Sequence, residues 1–132
     1  MTPAKEDYLR AIDHLQEKHK RNVKAIEVAK YMKLAKSTVS ERLDELEKES
    51  LIKPKKYSSI ELTKKGEKLA RNLTYKHRII EVFLRSSLKM KDVHEEAHKL
   101  EHAFSDSAIE KLKSFLKNPQ YCPHGKPLPK IR

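Results

Sequence analysis

The chain has 132 residues, a formal net charge of +11 and one cysteine. A lone cysteine excludes an intramolecular disulfide framework and fits a reducing compartment. No apolar run approaches the ~20 residues that a bilayer-crossing helix needs, and no N-terminal segment resembles a secretory signal, so a soluble, cytoplasmic protein with no membrane partner is expected. Hydrophobic and charged residues each make up 37%, with two Gly and no Trp, a balance that suits one lean, mostly helical domain or two small ones. The positive charge points to a polyanion such as nucleic acid, although a Lys/Glu-rich, Gly-poor surface also suits heat adaptation. The charge is spread evenly, +5 over residues 1–66 and +6 over 67–132, so no basic tail explains it.

Thr2-Pro3 opens a first helix with a capping hydroxyl and a proline in the first turn. Tyr8, Ala11, Ile12 and Leu15 recur at helical spacing until the polar run Glu17 to Asn22. Val23 to Met32 is expected as a second helix, Leu34-Ala35 as a short turn, and Lys36-Ser37-Thr38 as the start of a third, with Val39, Leu43 and Leu46 facing inward. Two helices joined by a tight turn, the second beginning with small hydroxyl residues, make a helix-turn-helix. The period then changes. Residues 51–57 and 60–63 read as two short strands around Ser58-Ser59, a basic "wing", and Thr63-Lys64-Lys65-Gly66 leads into a long helix. The alternative is a helical domain with a chance hairpin.

A contact with double-stranded DNA follows from this arrangement. Ser37, Thr38, Ser40 and Glu41 lie at the exposed start of the third helix, where short side chains approach base edges. Lys36 and Arg42 are placed for phosphates, as are Lys55 and Lys56 on the wing. Hydroxyls at a helix start also serve as ordinary caps. No Arg or Asn is set for a bidentate base contact, so DNA shape is expected to carry much of the specificity. His14 and the run Lys18 to Arg21 read as solvated surface, Tyr57 as wing packing and Tyr121 as an anchor for the tail.

The second half holds the metal-ligating residue types. Leu69 to Ser87 is expected as a helix with His77 and Glu81 one turn apart, a common way of presenting two ligands. Lys91 to Phe104 is expected as a helix, within which residues 94–102 read His-Glu-Glu-Ala-His-Lys-Leu-Glu-His. At ~100° per residue, His94, His98, Glu101 and His102 share roughly a third of a helix circumference beside an apolar stripe of Val93, Ala97, Leu100 and Phe104. Convergent imidazoles and a carboxylate beside a core face are unfavourable unless something uses their lone pairs, and a divalent cation is the candidate; the alternative is a solvated charged face. Asp106 to Leu116 forms a further helix, capped by Ser105 or Asp106. In the Pro-rich tail Tyr121 to Pro129, an extended chain would place Cys122 and His124 on one side. The broad apolar faces of this half call for a second copy, and a two-fold homodimer would present two recognition helices to a palindromic operator.

His94 to His98 is also a literal HExxH string, and His98 to His102 a literal HxxEH, both marks of zinc peptidases. A peptidase needs a distant third ligand and a substrate cleft that ~40 residues beside a winged helix hardly supply, so no enzyme is expected. A third possibility is a metal-blind winged-helix protein whose histidines are structural.

Glu-Asp-Tyr-Leu-Arg (6–10), Ser-Thr-Val-Ser (37–40), Leu-Thr-Lys-Lys-Gly (62–66), Lys-His-Arg (76–78), the 93–102 phrase, Ser-Asp (105–106) and Cys-Pro-His-Gly-Lys-Pro-Leu-Pro (122–129) occur in this order. In them the chain resembles the diphtheria-toxin-repressor and manganese-transport-regulator family, in its two-domain form. The resemblance implies a mainly α fold: a winged helix-turn-helix over residues 1–70, then a helical metal-binding and dimerisation domain over 71–132. It implies a primary site of Asp7, His98, Glu101 and His102, with His77 assisting one of two sites. Glu81 and His94 match an ancillary site of iron-type members, and Cys122 and His124, with Glu81, a secondary site of some manganese-type members. Arg10 stands where two-domain manganese regulators carry a carboxylate, and His98 where relatives carry Cys or Glu, which puts a tight two-metal cluster in question. An ending at Arg132 leads to the expectation that the SH3-like third domain of many relatives is absent. The mixed ligands suit Fe(II) or Mn(II), with Zn, Co or Ni favoured by intrinsic affinity in vitro. The implied function is metal-activated operator binding, with repression of metal-uptake genes as the output.

Overall fold

A computed structural model describes residues 2–53 and 59–130. The wing residues Lys55, Lys56 and Tyr57 lie outside the described residues. The chain forms two compact units, Met1–Arg71 and Asn72–Arg132, each around its own apolar cluster.

In the first unit α1 (Pro3–His19) starts as its sequence dictates: Thr2 Oγ1 accepts from the Lys5 amide at 3.3 Å, and Pro3 takes the first helical position. α2 (Ala25–Met32) stops at Lys33, whose φ of 57° turns the chain into α3 (Lys36–Lys48). Leu9, Ile12, Val28, Val39, Leu43 and Leu46 close the core between these three helices. The second helix begins two residues later than its periodicity indicates. Val23–Lys24 is instead a strand, β1, paired antiparallel with β2 (Ser59–Ile60) in the register Val23 to Ile60. Both Val23 and Ile60 are fully buried. The base of the wing is set by the antiparallel Ile52–Leu62 bridge and by the Lys53 amide donating to Glu61 O at 2.8 Å.

α4 (Lys64–Ser86) contributes its first two turns to the first unit and the rest to the second. Its start explains the Leu-Thr-Lys-Lys-Gly phrase. Thr63 Oγ1 accepts from the Gly66 amide at 3.1 Å and donates to Ser50 O at 2.6 Å. A Cβ on Gly66 would stand 1.9 Å from the Leu51 carbonyl oxygen, so only glycine lets the helix pass that backbone.

In the second unit α4 packs with α5 (His94–Leu100) and α6 (Asp106–Phe115) around Tyr75, Ile79, Ile80, Leu84, Val93, Ala97 and Ile109. Ser105 caps α6, its Oγ accepting from the Ala108 amide at 3.0 Å. α5 is shorter than its amphipathic pattern indicates: after Leu100 the chain tightens, the Ala103 amide donating to Leu100 O at 3.0 Å, and turns toward Ser105. The tail is not extended at Cys122 and His124. It folds into a tight turn, with the Cys122 amide donating to Lys126 O at 2.8 Å and the Gly125 amide to Cys122 O at 2.9 Å. Gly125 supplies the φ of 82° the turn requires.

Candidate metal centre and nucleic-acid interface

The inward face of α4 carries the chemistry of the second unit. His77 and Glu81, one turn apart, point into the interior, and the Glu81 side chain is only 3% exposed. An ionised carboxylate does not stay buried without partners. Glu81 Oε2 lies 3.3 Å from His77 Nε2, 3.6 Å from His94 Nδ1 and 3.6 Å from His124 Nδ1. None of these meets hydrogen-bond geometry among the described residues, so the attraction is electrostatic. Burial works to raise the Glu81 carboxyl, but the imidazoles of His77 and His94, with the charge on His77 and His124, outweigh it and hold the group well below the usual carboxylate range.

The tautomer of His77 follows from its other nitrogen. Nδ1 lies 2.8 Å from Glu101 Oε1, and both side chains are enclosed. A carboxylate there accepts from Nδ1–H, the arrangement by which a carboxylate orients a metal-ligating imidazole. His94 Nδ1 is 3.2 Å from the same Nε2. His77, Glu81 and His94 therefore form one potential ligand group, and Glu81, Cys122 and His124 a second.

The tail turn brings Cys122 and His124 to α4 because Arg78 holds it, donating from Nη1 to Pro127 O at 2.5 Å. Sequence reasoning assigns the anchor to Tyr121, but that side chain is 62% exposed. The signal for Arg78 is its place in Lys-His-Arg, beside a histidine that faces the ligands. The side chains of the His94–His102 phrase have different nearest neighbours. His94 turns to His77 and Glu81, and Glu101 is buried against His77. His98 Nδ1 stands 3.6 Å from Glu101 Oε1, and its ring meets His102 edge-on at 5.8 Å. Helix α5 ends at Leu100, with Glu101 as its C-cap still in helical backbone geometry and its amide donating to Ala97 O at 2.9 Å. In the first unit, Asp7 is half-buried on α1 and Arg10, three residues on, is buried.

The start of α3 is exposed where its chemistry lies. Val39, Leu43 and Leu46 of α3 are buried, and Lys36, Ser37, Thr38, Ser40 and Glu41 are exposed. The N-cap of α3 is Ala35, with no side-chain cap, so the hydroxyls of Ser37 and Thr38 are not spent as caps. Arg42 is less available: it pairs with Glu45 at 2.9 Å and lies over the Tyr8 ring. Arg21, read as solvated surface, grips Glu27 through two 2.9 Å hydrogen bonds. Among the described residues no helix is long and apolar enough to cross a membrane.

Comparison with known proteins agrees with both halves. Residues 1–60 match the family model of the iron-dependent repressor N-terminal DNA-binding domain, and residues 63–130 that of the iron-dependent repressor metal-binding and dimerisation domain. An uncharacterized HTH-type transcriptional regulator of Methanocaldococcus jannaschii is 36% identical over 118 residues, covering 88% of this chain and 94% of its own. The iron-dependent repressor IdeR of Mycobacterium tuberculosis is 33% identical over 126 residues, 94% of this chain but 54% of the repressor. The structure of the manganese regulator SloR superposes with a TM-score of 0.85 at 41% identity, covering 99% of this chain and 61% of SloR. The chain thus spans little more than half the length of these last two relatives. With a DNA-binding and a metal-binding model matched in sequence order along almost all of its residues, the chain belongs to the iron-dependent repressor family of metal-dependent transcriptional regulators.

Proposed function

We propose that this chain is a homodimeric, cytoplasmic DNA-binding regulator that grips a palindromic operator when Fe(II) or Mn(II) is plentiful and so represses metal-uptake genes. The observation that carries the metal dependence is the Glu81 carboxylate. It is buried, with an oxygen that faces three imidazole nitrogens and has no hydrogen bond among the described residues. Imidazole nitrogens converging on a buried carboxylate oxygen are the donor types and spacing of a divalent-cation site, which supports this reading over a metal-blind winged helix. A divalent cation, when bound, supplies the positive charge that these lone pairs require.

The residues divide the work. His77, Glu81, His94, Cys122 and His124 are ligands within the second unit, and Glu101 orients His77. Asp7, His98, Glu101 and His102 form the primary site; the part given to Asp7 rests on its match to the family phrase at residues 6–10. Metal held by this set reduces the ordering entropy lost when the dimer binds DNA. Ser37, Thr38, Ser40 and Glu41 approach base edges, and Lys36, Arg42, Lys55 and Lys56 approach phosphates. The different neighbours of His94 and His98 support a regulator over a zinc peptidase, whose HExxH histidines share one ion.

Footprinting of the DNA upstream of metal-uptake genes tests the proposal. A two-fold-symmetric protected segment is expected with Mn(II) or Fe(II) and none with a chelator. Protection that ignores the chelator would refute metal control.

A further inference from the structure

The apolar cluster of the second unit is bordered by a cavity of about 370 Å³ that shares no residue with the ligand groups. Tyr75 of α4, Glu110 and Lys113 of α6, and tail residues on both sides of the Cys122 turn line it. The volume lies within the ~300–1,000 Å³ of small-molecule sites. We propose that this cavity binds a small aromatic carboxylate that also carries a hydroxyl group, a hydroxybenzoate being the simplest member of the class. The site lies within one unit and rests on neither the metal nor the DNA reading.

The lining sets charge, polarity and shape. Its charged residues are Lys113, Lys130 and Glu110. Two cations against one anion suit a monoanion, and a phosphate dianion would be repelled by Glu110. Neither lysine pairs with a carboxylate among the described residues. Lys113 does not stretch into solvent: its Nζ stands 5.4 Å from the Tyr75 ring centroid, which holds the ammonium at the cavity wall. Glu110 Oε1 accepts from the Tyr75 hydroxyl at 2.8 Å, and its other oxygen is left to accept from a ligand hydroxyl. Glu110 and Lys113 are neighbours one turn apart on α6, a separation that one benzene ring spans between a hydroxyl and a carboxylate. Half-buried Pro119, Leu128 and Pro129 offer that ring apolar surface. The tail side of the cavity is held in place. The Leu128 amide donates to Gln120 O at 3.0 Å, and Tyr121 and Pro127 form an antiparallel bridge. Lys117 and Asn118 leave α6 with successive φ values of 63° and 53°, an unfavourable turn for residues other than glycine, and this turn brings Pro119 and Gln120 to the cavity.

Amide-resolved NMR titration of the intact protein with 4-hydroxybenzoate tests this without DNA or added metal. Saturable shifts are expected around Tyr75, Lys113, Gln120 and Leu128, with half-saturation at about 1 mM, the affinity that about ten heavy atoms reach at ordinary efficiency. Benzoate, which lacks the hydroxyl, should bind about fivefold more weakly, and Glu110→Ala should erase that preference. Lys113→Ala should weaken 4-hydroxybenzoate about tenfold. Lys117→Ala, one turn further along α6 and outside the lining, should leave its affinity unchanged. The same spectra show that each variant is folded. Absence of saturable shifts up to ~20 mM would overturn the proposal, as would wild-type affinity in Lys113→Ala. Equal weakening by Lys117→Ala, or inorganic phosphate binding as tightly at the same residues, would reduce the cavity to a diffuse cationic surface and overturn it too.

Discussion

His77 Nδ1 lies 2.8 Å from Glu101 Oε1, and neither side chain reaches solvent. The pair joins the inward face of α4 to the end of α5 and fixes the orientation of the His77 ring. Glu101→Ala should leave a buried N–H without its acceptor and lower stability by about 2 kcal/mol, seen as a lower urea midpoint at unchanged slope. Glu101→Gln retains an acceptor oxygen and should lose markedly less. Equal losses for the two variants would mean that the hydrogen bond does not hold the ring.

Gly66 is an interior helical residue that cannot carry a side chain. A Cβ at this position would meet the Leu51 carbonyl oxygen at 1.9 Å, and backbone cannot yield as a flexible side chain does. Gly66→Ala should therefore destabilise the protein by about 3 kcal/mol, at the upper end of overpacking effects, although alanine is the better helix former. A thermal or urea melt reads this, and a neutral or stabilising result would show that α4 can slide past Leu51.

Acid should unpick a specific ion pair. The Arg21 guanidinium, through its two hydrogen bonds, and then the Lys24 amide hold the Glu27 carboxyl at about 2 against an ordinary 4.5. A depressed folded-state value means that the stabilisation is complete above about pH 4.5 and is lost as the pH falls toward about 2. The stability difference between the wild-type chain and Glu27→Gln, followed by melting temperature, should shrink over that interval. A difference that stays constant from pH 5 to pH 2 would contradict the assignment.

The hydroxyls at the start of α3 are exposed and do not cap the helix. Since Ala35 and not Ser37 or Thr38 occupies the cap, Thr38→Ala should change folding stability by no more than about 0.5 kcal/mol while weakening operator binding several-fold. Lys36→Ala should weaken binding to all duplexes alike and reduce the slope of log affinity against log salt by about 1. A Thr38 variant that binds normally would remove that residue from the interface.

Much of this architecture was legible because it is local. Thr2-Pro3 and Ser105 cap helices as their types dictate, and Val39, Leu43 and Leu46 recur at the helical period that buries them. The misreadings are non-local. Val23–Lys24 has helical periodicity, yet it pairs with Ser59–Ile60, residues far along the chain that also need a partner. Nothing in the spacing of the 94–102 phrase announces that Glu101 is buried against a histidine on another helix. Cys122 and His124 suit an extended strand by spacing, but Gly125 makes a turn, and Arg78 rather than Tyr121 ties it down. Residue types announced a metal chemistry; which oxygen the ligands share became apparent only from their positions in space.

The central claim is that divalent metal sets DNA affinity. Fluorescence anisotropy under anaerobic conditions tests it most directly, on a duplex selected from a random-sequence pool by the manganese-loaded protein. Mn(II) or Fe(II) should tighten wild-type binding at least about tenfold over chelator, as coupling of about 1–3 kcal/mol per site allows. Asp7→Ala should remain a folded dimer whose affinity no longer responds. Wild-type binding that is as tight in chelator as in metal would contradict the account.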